Sequence, residues 1–94
     1  MFQQIHGAAD PRDEKPVDFT DVYLSVRDTP LGRRVLLHDI AGFNRLFQTQ
    51  KEQCEKTARF VDRYGESLLI ICAANGFDPM AERLIDAGAD VHAQ

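Results

Sequence analysis

The five cysteine and histidine side chains of this 94-residue chain are its first candidates for covalent or metal chemistry: Cys54, Cys72, His6, His38 and His92. The two cysteines are 18 positions apart and neither belongs to a Cys-x-x-Cys pair. No His-x-x-x-His partner accompanies them, so the spacing of a tetrahedral zinc site is missing. Both cysteines sit in helical apolar patterns, which predicts buried, free thiols in a reducing compartment. His38 stands beside Asp39 in an apolar stretch and reads as structural rather than as a base. Asp86 and Asp90 flank Gly88, which is capping and turn chemistry rather than a general acid–base pair. The glycines punctuate the chain instead of clustering into a phosphate-binding loop. The expectation is a chain that is not an enzyme and needs no cofactor or metal; what remains for it is to bind.

Composition narrows the partners. A net charge of −4 and a pI near 5.2 argue against a nucleic-acid surface, and Arg33-Arg34 is too short to reverse that. No apolar run approaches the ~20 residues that span a bilayer, and no signal-peptide pattern is present, so no membrane contact and a cytoplasmic location are expected. With 44% hydrophobic residues the chain has enough for one small core of marginal stability.

The elements that would position a binding surface follow from periodicity. Residues 1–16, with Pro11, Pro16 and mixed charge, read as a flexible N-terminal arm. Phe19, Val22, Tyr23 and Val26 recur at helical spacing, with Asp18 as a cap. Thr29-Pro30-Leu31-Gly32 breaks the chain. Val35, Leu36, Leu37 and Ile40 give a helix over 33–41, and Gly42 is a break or a weak point. Phe43, Phe47, Cys54, Ala58 and Val61 predict one helix from about residue 43 to about 59, with Glu52 and Lys56 as an exposed i,i+4 pair. Ser67 caps an apolar helix over 68–74 that Gly76 ends, and that helix should be covered on several sides. Asp78-Pro79 starts the next helix; Met80, Leu84 and Ile85 form its inner face, and Gly88 stops it. An apolar helix, a Gly turn, a second helix and a Gly-Ala-Asp arm make one unit that cannot bury its own faces.

This unit resembles the ankyrin repeat. Residues 62–94 are 33 in number, the family period. Asp62-Arg63-Tyr64-Gly65 matches the opening turn, and Ser67-Leu68-Leu69-Ile70 stands where the family has Thr-Pro-Leu-His. Cys72-Ala73, Gly76 and Leu84-Ile85 match the small pair, the inter-helix glycine and the paired aliphatics. Gly88-Ala89-Asp90-Val91-His92-Ala93 matches the closing arm, with His92 in place of Asn. Upstream, residues 17–61 are similar only to a degenerate repeat and read as a divergent N-terminal helical cap. The resemblance implies an all-α fold: an ankyrin-type helical-hairpin repeat stack over 17–94.

It also implies a function. In such a stack, hairpin tips and the exposed side of each first helix present a protein-binding groove. The matching positions are Arg63, Tyr64 and Glu66 at the turn, and Ala74 and Asn75 at the helix end. Arg59, Arg63 and Tyr64 together favour a partner offering acidic and aromatic or aliphatic groups. The implied function is a non-catalytic protein–protein interaction module, expected to be the N-terminal part of a longer array. The alternatives are an oligomerisation or capping domain that self-associates through its uncapped C-terminal repeat face, and an inhibitor, immunity or effector-type protein that blocks one enzyme. Phe2, Phe19 and Tyr23 raise a further possibility, an arm folded over the groove, against the simpler reading of an amphipathic capping helix.

Overall fold

The structure is a computed structural model and describes residues 16–91; Phe2, His6, His92 and nearly all of the expected arm lie outside them. Among the described residues the secondary structure is helical, without strands: a 3₁₀ turn at Val26–Asp28, then α1 (Pro30–Leu36), α2 (Ile40–Thr49), α3 (Lys51–Arg59), α4 (Leu68–Asn75) and α5 (Asp78–Asp86). No described helix is long and apolar enough to cross a membrane.

Two helix–turn–helix units follow the same capping plan. The Thr29 hydroxyl oxygen accepts from the Gly32 N–H at 2.9 Å, and the Ser67 hydroxyl oxygen accepts from the Ile70 N–H at 3.3 Å. Each side chain thereby satisfies one of the orphan donors of a helix start. Pro30 occupies the first position of α1, where no N–H is needed. Nine residues after each cap stands a left-handed residue: His38 with φ 53° and Gly76 with φ 71°. Asp39 N–H donates to the Arg34 carbonyl at 2.8 Å, as Phe77 N–H does to Cys72 at 2.9 Å. Both are the six-to-one bond of a Schellman ending, and Ala89 N–H repeats it at α5 on the Leu84 carbonyl, 3.0 Å. The left-handed form costs an L-residue about 1 kcal/mol, and here His38 stacks on Phe77 with ring centroids 4.1 Å apart and planes 10° from parallel. That stack ties the α1–α2 turn to the α4–α5 turn.

One core runs between the units. Leu31 and Val35 of α1, Phe43 of α2 and Leu68, Met80 and Leu84 of α4 and α5 are essentially sealed from solvent. α4 packs on α5, on α1 and on α3. Arg83 of α5 lies over the Phe47 ring of α2, 4.1 Å from its centroid. Gly32 lets α1 sit on the 3₁₀ turn, because a Cβ there would lie 2.0 Å from the Val26 carbonyl oxygen. Cys54 and Cys72 are buried thiols that form no disulfide, as expected.

Several expectations are corrected. Residues 19–25 form turns, not a helix, because Asp18 and Asp21 side chains capture the N–H groups of Thr20 and Tyr23 two residues on. The helix expected over 33–41 begins earlier, at Pro30, ends at Leu36, and is broken by His38. Gly42 lies inside α2, its N–H held by Asp39 Oδ1 at 2.9 Å. The single helix expected over 43–59 is two, interrupted at Gln50 with φ −136° and ψ 51°. Phe77, not Asp78, is the residue before α5. Ile85 is 42% exposed and does not belong to the inner face. Ala73 and Ala74 are also exposed, so α4 is covered less completely than its composition suggests. The ion pair on α3 is Lys51–Glu55 at 3.1 Å rather than one from Glu52 to Lys56.

The turn before α4 is fastened by Asp62. This residue is buried, and its carboxylate accepts from Tyr64 N–H at 2.9 Å, Glu66 N–H at 3.0 Å and, 36 residues away, Val26 N–H at 3.0 Å. Asp62→Ala leaves these donors without their partner and should destabilise the fold by about 2–4 kcal/mol. The midpoint of thermal unfolding should fall by roughly 10 °C or more. Asp62→Asn, with one acceptor oxygen, should fall between the two.

Candidate functional site

The turn that Asp62 holds is the place where exposed side chains of interface-forming type meet. Arg63 is exposed, and its guanidinium lies 4.7 Å from the centroid of the Tyr23 ring and 5.8 Å from that of Tyr64. Both rings are well exposed, Tyr23 at 69% and Tyr64 at 62%. A cation on an aromatic face gains ~0.5–1 kcal/mol at an exposed site, enough to restrict the side chains without closing them to a partner. Tyr23 reaches this position because its N–H is held by Asp21 Oδ1 at 2.9 Å.

Glu66 sits on the far side of the same turn and is already engaged. Arg27 Nε and Nη2 donate to its two carboxylate oxygens, each at 2.8 Å. This forked pair holds the Glu66 carboxyl below the usual carboxylate range. It joins the turn before α4 to the 3₁₀ turn before α1, beside the buried Asp62–Val26 bond.

Arg63, Tyr64 and Glu66 are thus brought together, and Tyr23 and Arg27 join them. In the sequence Tyr23 reads as part of an amphipathic capping helix, and Arg27 has no assigned role. Their recruitment depends on residues 17–26 running alongside the end of α3 and the turn: Val17 N–H donates to Gln53 Oε1 at 2.9 Å, and Phe19 packs edge-to-face on Phe60. Ala74 and Asn75 are exposed but lie at the other end of α4, about 10 Å along its axis from the cap. Asn75 turns its amide inward, donating to the Ile71 carbonyl at 2.8 Å. These two residues therefore do not share the Arg63 patch.

The groups with the types of catalytic residues are disposed otherwise. Burial pushes the Cys72 thiol up to about 11. Asp39 holds α2 by its start, accepting from Gly42 N–H and from Arg34 Nη1 at 2.9 Å, and its carboxyl titrates below the usual range, chiefly through the Gly42 bond. Among the described residues no group of three or more His, Cys, Asp or Glu side chains is arranged to hold a metal ion. Neither a protein-family model, nor a curated protein, nor a solved structure matches this chain.

Two outcomes follow from these titrations. Native protein at pH 7 should leave Cys72 unmodified by a thiol-directed reagent, while denatured protein should expose both Cys54 and Cys72 at once. Rapid labelling of Cys72 under native conditions would contradict its burial. Asp39 and Glu66 have lower values folded than unfolded, so the folded state binds fewer protons as pH falls. The stability they contribute is present above about pH 4, the unfolded carboxylate range, and is lost as pH drops through their folded values. Denaturant midpoints from pH 7 to pH 3 should decline for the native sequence and decline less steeply for Asp39→Asn/Glu66→Gln.

Proposed function

We propose that the chain is a non-catalytic protein–protein interaction module of ankyrin-repeat type that receives its partner on the face around Arg63. The observation that carries this reading is the exposed Tyr23–Arg63–Tyr64 cluster, whose cation makes no ion pair among the described residues. Tyr and Arg are the side chains that most often dominate binding energy. Here they stand on a turn whose backbone is tied down by a buried carboxylate, so little order has to be imposed on binding. Two helix–turn–helix units share caps and Schellman endings, Thr29 to Ser67 and His38 to Gly76; this supports a repeated helical hairpin, although the offset of 38 residues is longer than the 33-residue ankyrin period.

A second reading has its own observation. Ile85 is 42% exposed and Val91 53% exposed on the last unit, as expected of a repeat face that stacks on a neighbour. Self-association through that face would make the chain an oligomerisation domain. Light scattering over a concentration series separates the two. A monomer is expected if partners bind at Arg63, and a concentration-dependent dimer abolished by Ile85→Glu is expected for the alternative.

Affinity capture with the native chain and with Arg63→Ala/Tyr64→Ala tests the main reading directly. Both residues are exposed, so the variant should unfold at the native temperature while binding drops about 30-fold or more, the loss expected of truncated hot spots. A partner retained equally by both proteins would remove this face from the proposal.

A further inference from the structure

Phe19 and Phe60 meet edge-to-face, with centroids 5.4 Å apart and planes at 66°. With Lys56 and Arg59 of the last turn of α3 they line a shallow, widely open cleft of about 380 Å³. That volume lies toward the lower end of the ~300–1,000 Å³ typical of ligand pockets, and suits one or two side chains rather than a cofactor. Phe60 is half-buried against the core, which gives the cleft a fixed floor. Lys56 and Arg59 are exposed and make no ion pair among the described residues.

We propose that this cleft is the anchor site of the interaction face and takes an apolar side chain of an acidic peptide segment, with Lys56 and Arg59 receiving its flanking carboxylates. The inference rests on the reading of the chain as a partner-binding module and names the chemistry of the partner. Two observations select an acidic peptide. The lining of the cleft carries two cations and no carboxylate on a chain of net charge −4, while acids near in sequence, Glu52, Glu55 and Asp18, stand outside it. The negative end of the α3 dipole, about half a charge, is outweighed by the two cations. Phe60 also lies three residues before Arg63, at most about 11 Å along the chain, so one extended segment can reach both. A nucleic acid would also accept cations beside aromatic rings. It would need a longer basic track, against the repulsion of an acidic protein.

The test is a titration of the ¹⁵N-labelled full chain with the peptide Glu-Asp-Glu-Phe-Asp-Glu, followed at the backbone amides. The expected result is shifts at Phe19, Lys56, Arg59 and Phe60. Binding should weaken about fivefold to tenfold in Lys56→Gln/Arg59→Gln, which removes two exposed charge contacts and keeps apolar stems. It should also weaken when the peptide's Phe is replaced by Gly, and when salt shortens the screening length to about 3 Å at 1 M. Circular dichroism checks that the variant is folded. Shifts that persist unchanged in that variant, or no shifts at millimolar peptide, would overturn the inference, as would tighter cleft binding by a twelve-residue oligothymidylate. A degenerate heptapeptide pool separates the failures. Shifts confined to Arg63 and Tyr64 overturn the cleft and leave the interaction module standing. Silence at both sites counts against both.

Discussion

The carboxylate of Asp62 is the constraint on which the rest of the structure hangs. It is buried and surrounded by backbone donors, two from its own turn and one from Val26. A buried N–H without a partner is costly, so the turn before α4 and the 3₁₀ turn before α1 are held at one spacing. The constraint then passes along the chain by contact. Val26 gives its carbonyl to the Thr29 hydroxyl at 2.7 Å, and the same oxygen of Thr29 accepts from Gly32 N–H. One series of hydrogen bonds thus runs from the second unit to the first turn of α1. The apolar core fills the space these polar contacts define, but its non-directional attraction does not choose the register between the two units.

The exposed face inherits that register. Tyr64 N–H is one of the three donors bound to Asp62, so the base of the tyrosine is fixed even though its ring is in solvent. Arg63 precedes it and lies across Tyr23, whose segment is pinned farther back by Val17 on Gln53 and by Phe19 on Phe60. Gln53 also donates to Gln50 Oε1 at 3.1 Å, at the joint between α2 and α3. The break in the long helix and the course of the N-terminal segment are therefore linked by one carboxamide. A straight helix through residue 50 would carry α3, and with it Lys56, Arg59 and Phe60, away from the place where Phe19 meets them.

What could be read in the sequence divides along a physical line. Ser67, Gly76 and Gly88 act on their own neighbours, within four or five residues, and their roles as cap and stops were legible before any coordinates. The burial of Met80, Leu84, Cys54 and Cys72 also follows from local period. Thr29-Pro30 carried the same local information, a cap followed by the residue best suited to the first helical position, but its reading as a chain break hid it. His38 was opaque for a different reason. Nothing in its type demands a positive φ, and the ring of Phe77 that accompanies it there is 39 positions away. The periodicity of Phe19, Val22, Tyr23 and Val26 was real but misleading. Asp18 and Asp21 offered the backbone closer acceptors than a helix would, and Phe19 and Tyr23 found aromatic and cationic partners near residue 60 instead. Of the candidate surface, Arg63, Tyr64 and Glu66 were legible from the turn, whereas Tyr23 and Arg27 depend on contacts across about 40 residues.

Exposed apolar area alone would not single out the Arg63 face. Leu37 is 68% exposed at the α1–α2 turn, with Leu36 and Ile40 nearby in sequence, and Ile85 and Val91 are open on the last unit. These aliphatic groups gain only by losing water, so they favour any apolar cover of the right shape. The strip from Lys56 to Arg63 differs in kind. Its apolar surface joins the aromatic rings at Phe60 and Phe19 to the exposed Val61 and is interleaved with cations that make no ion pair among the described residues, on a chain of net negative charge. Such a surface discriminates by sign as well as by shape, because a basic partner that covers the same rings must bring like charges together. The backbones that carry these cations are placed by a helix end and by a turn that the buried Asp62 carboxylate holds. The same bond that sets the register of the fold therefore sets where the Arg63 backbone stands relative to the end of α3.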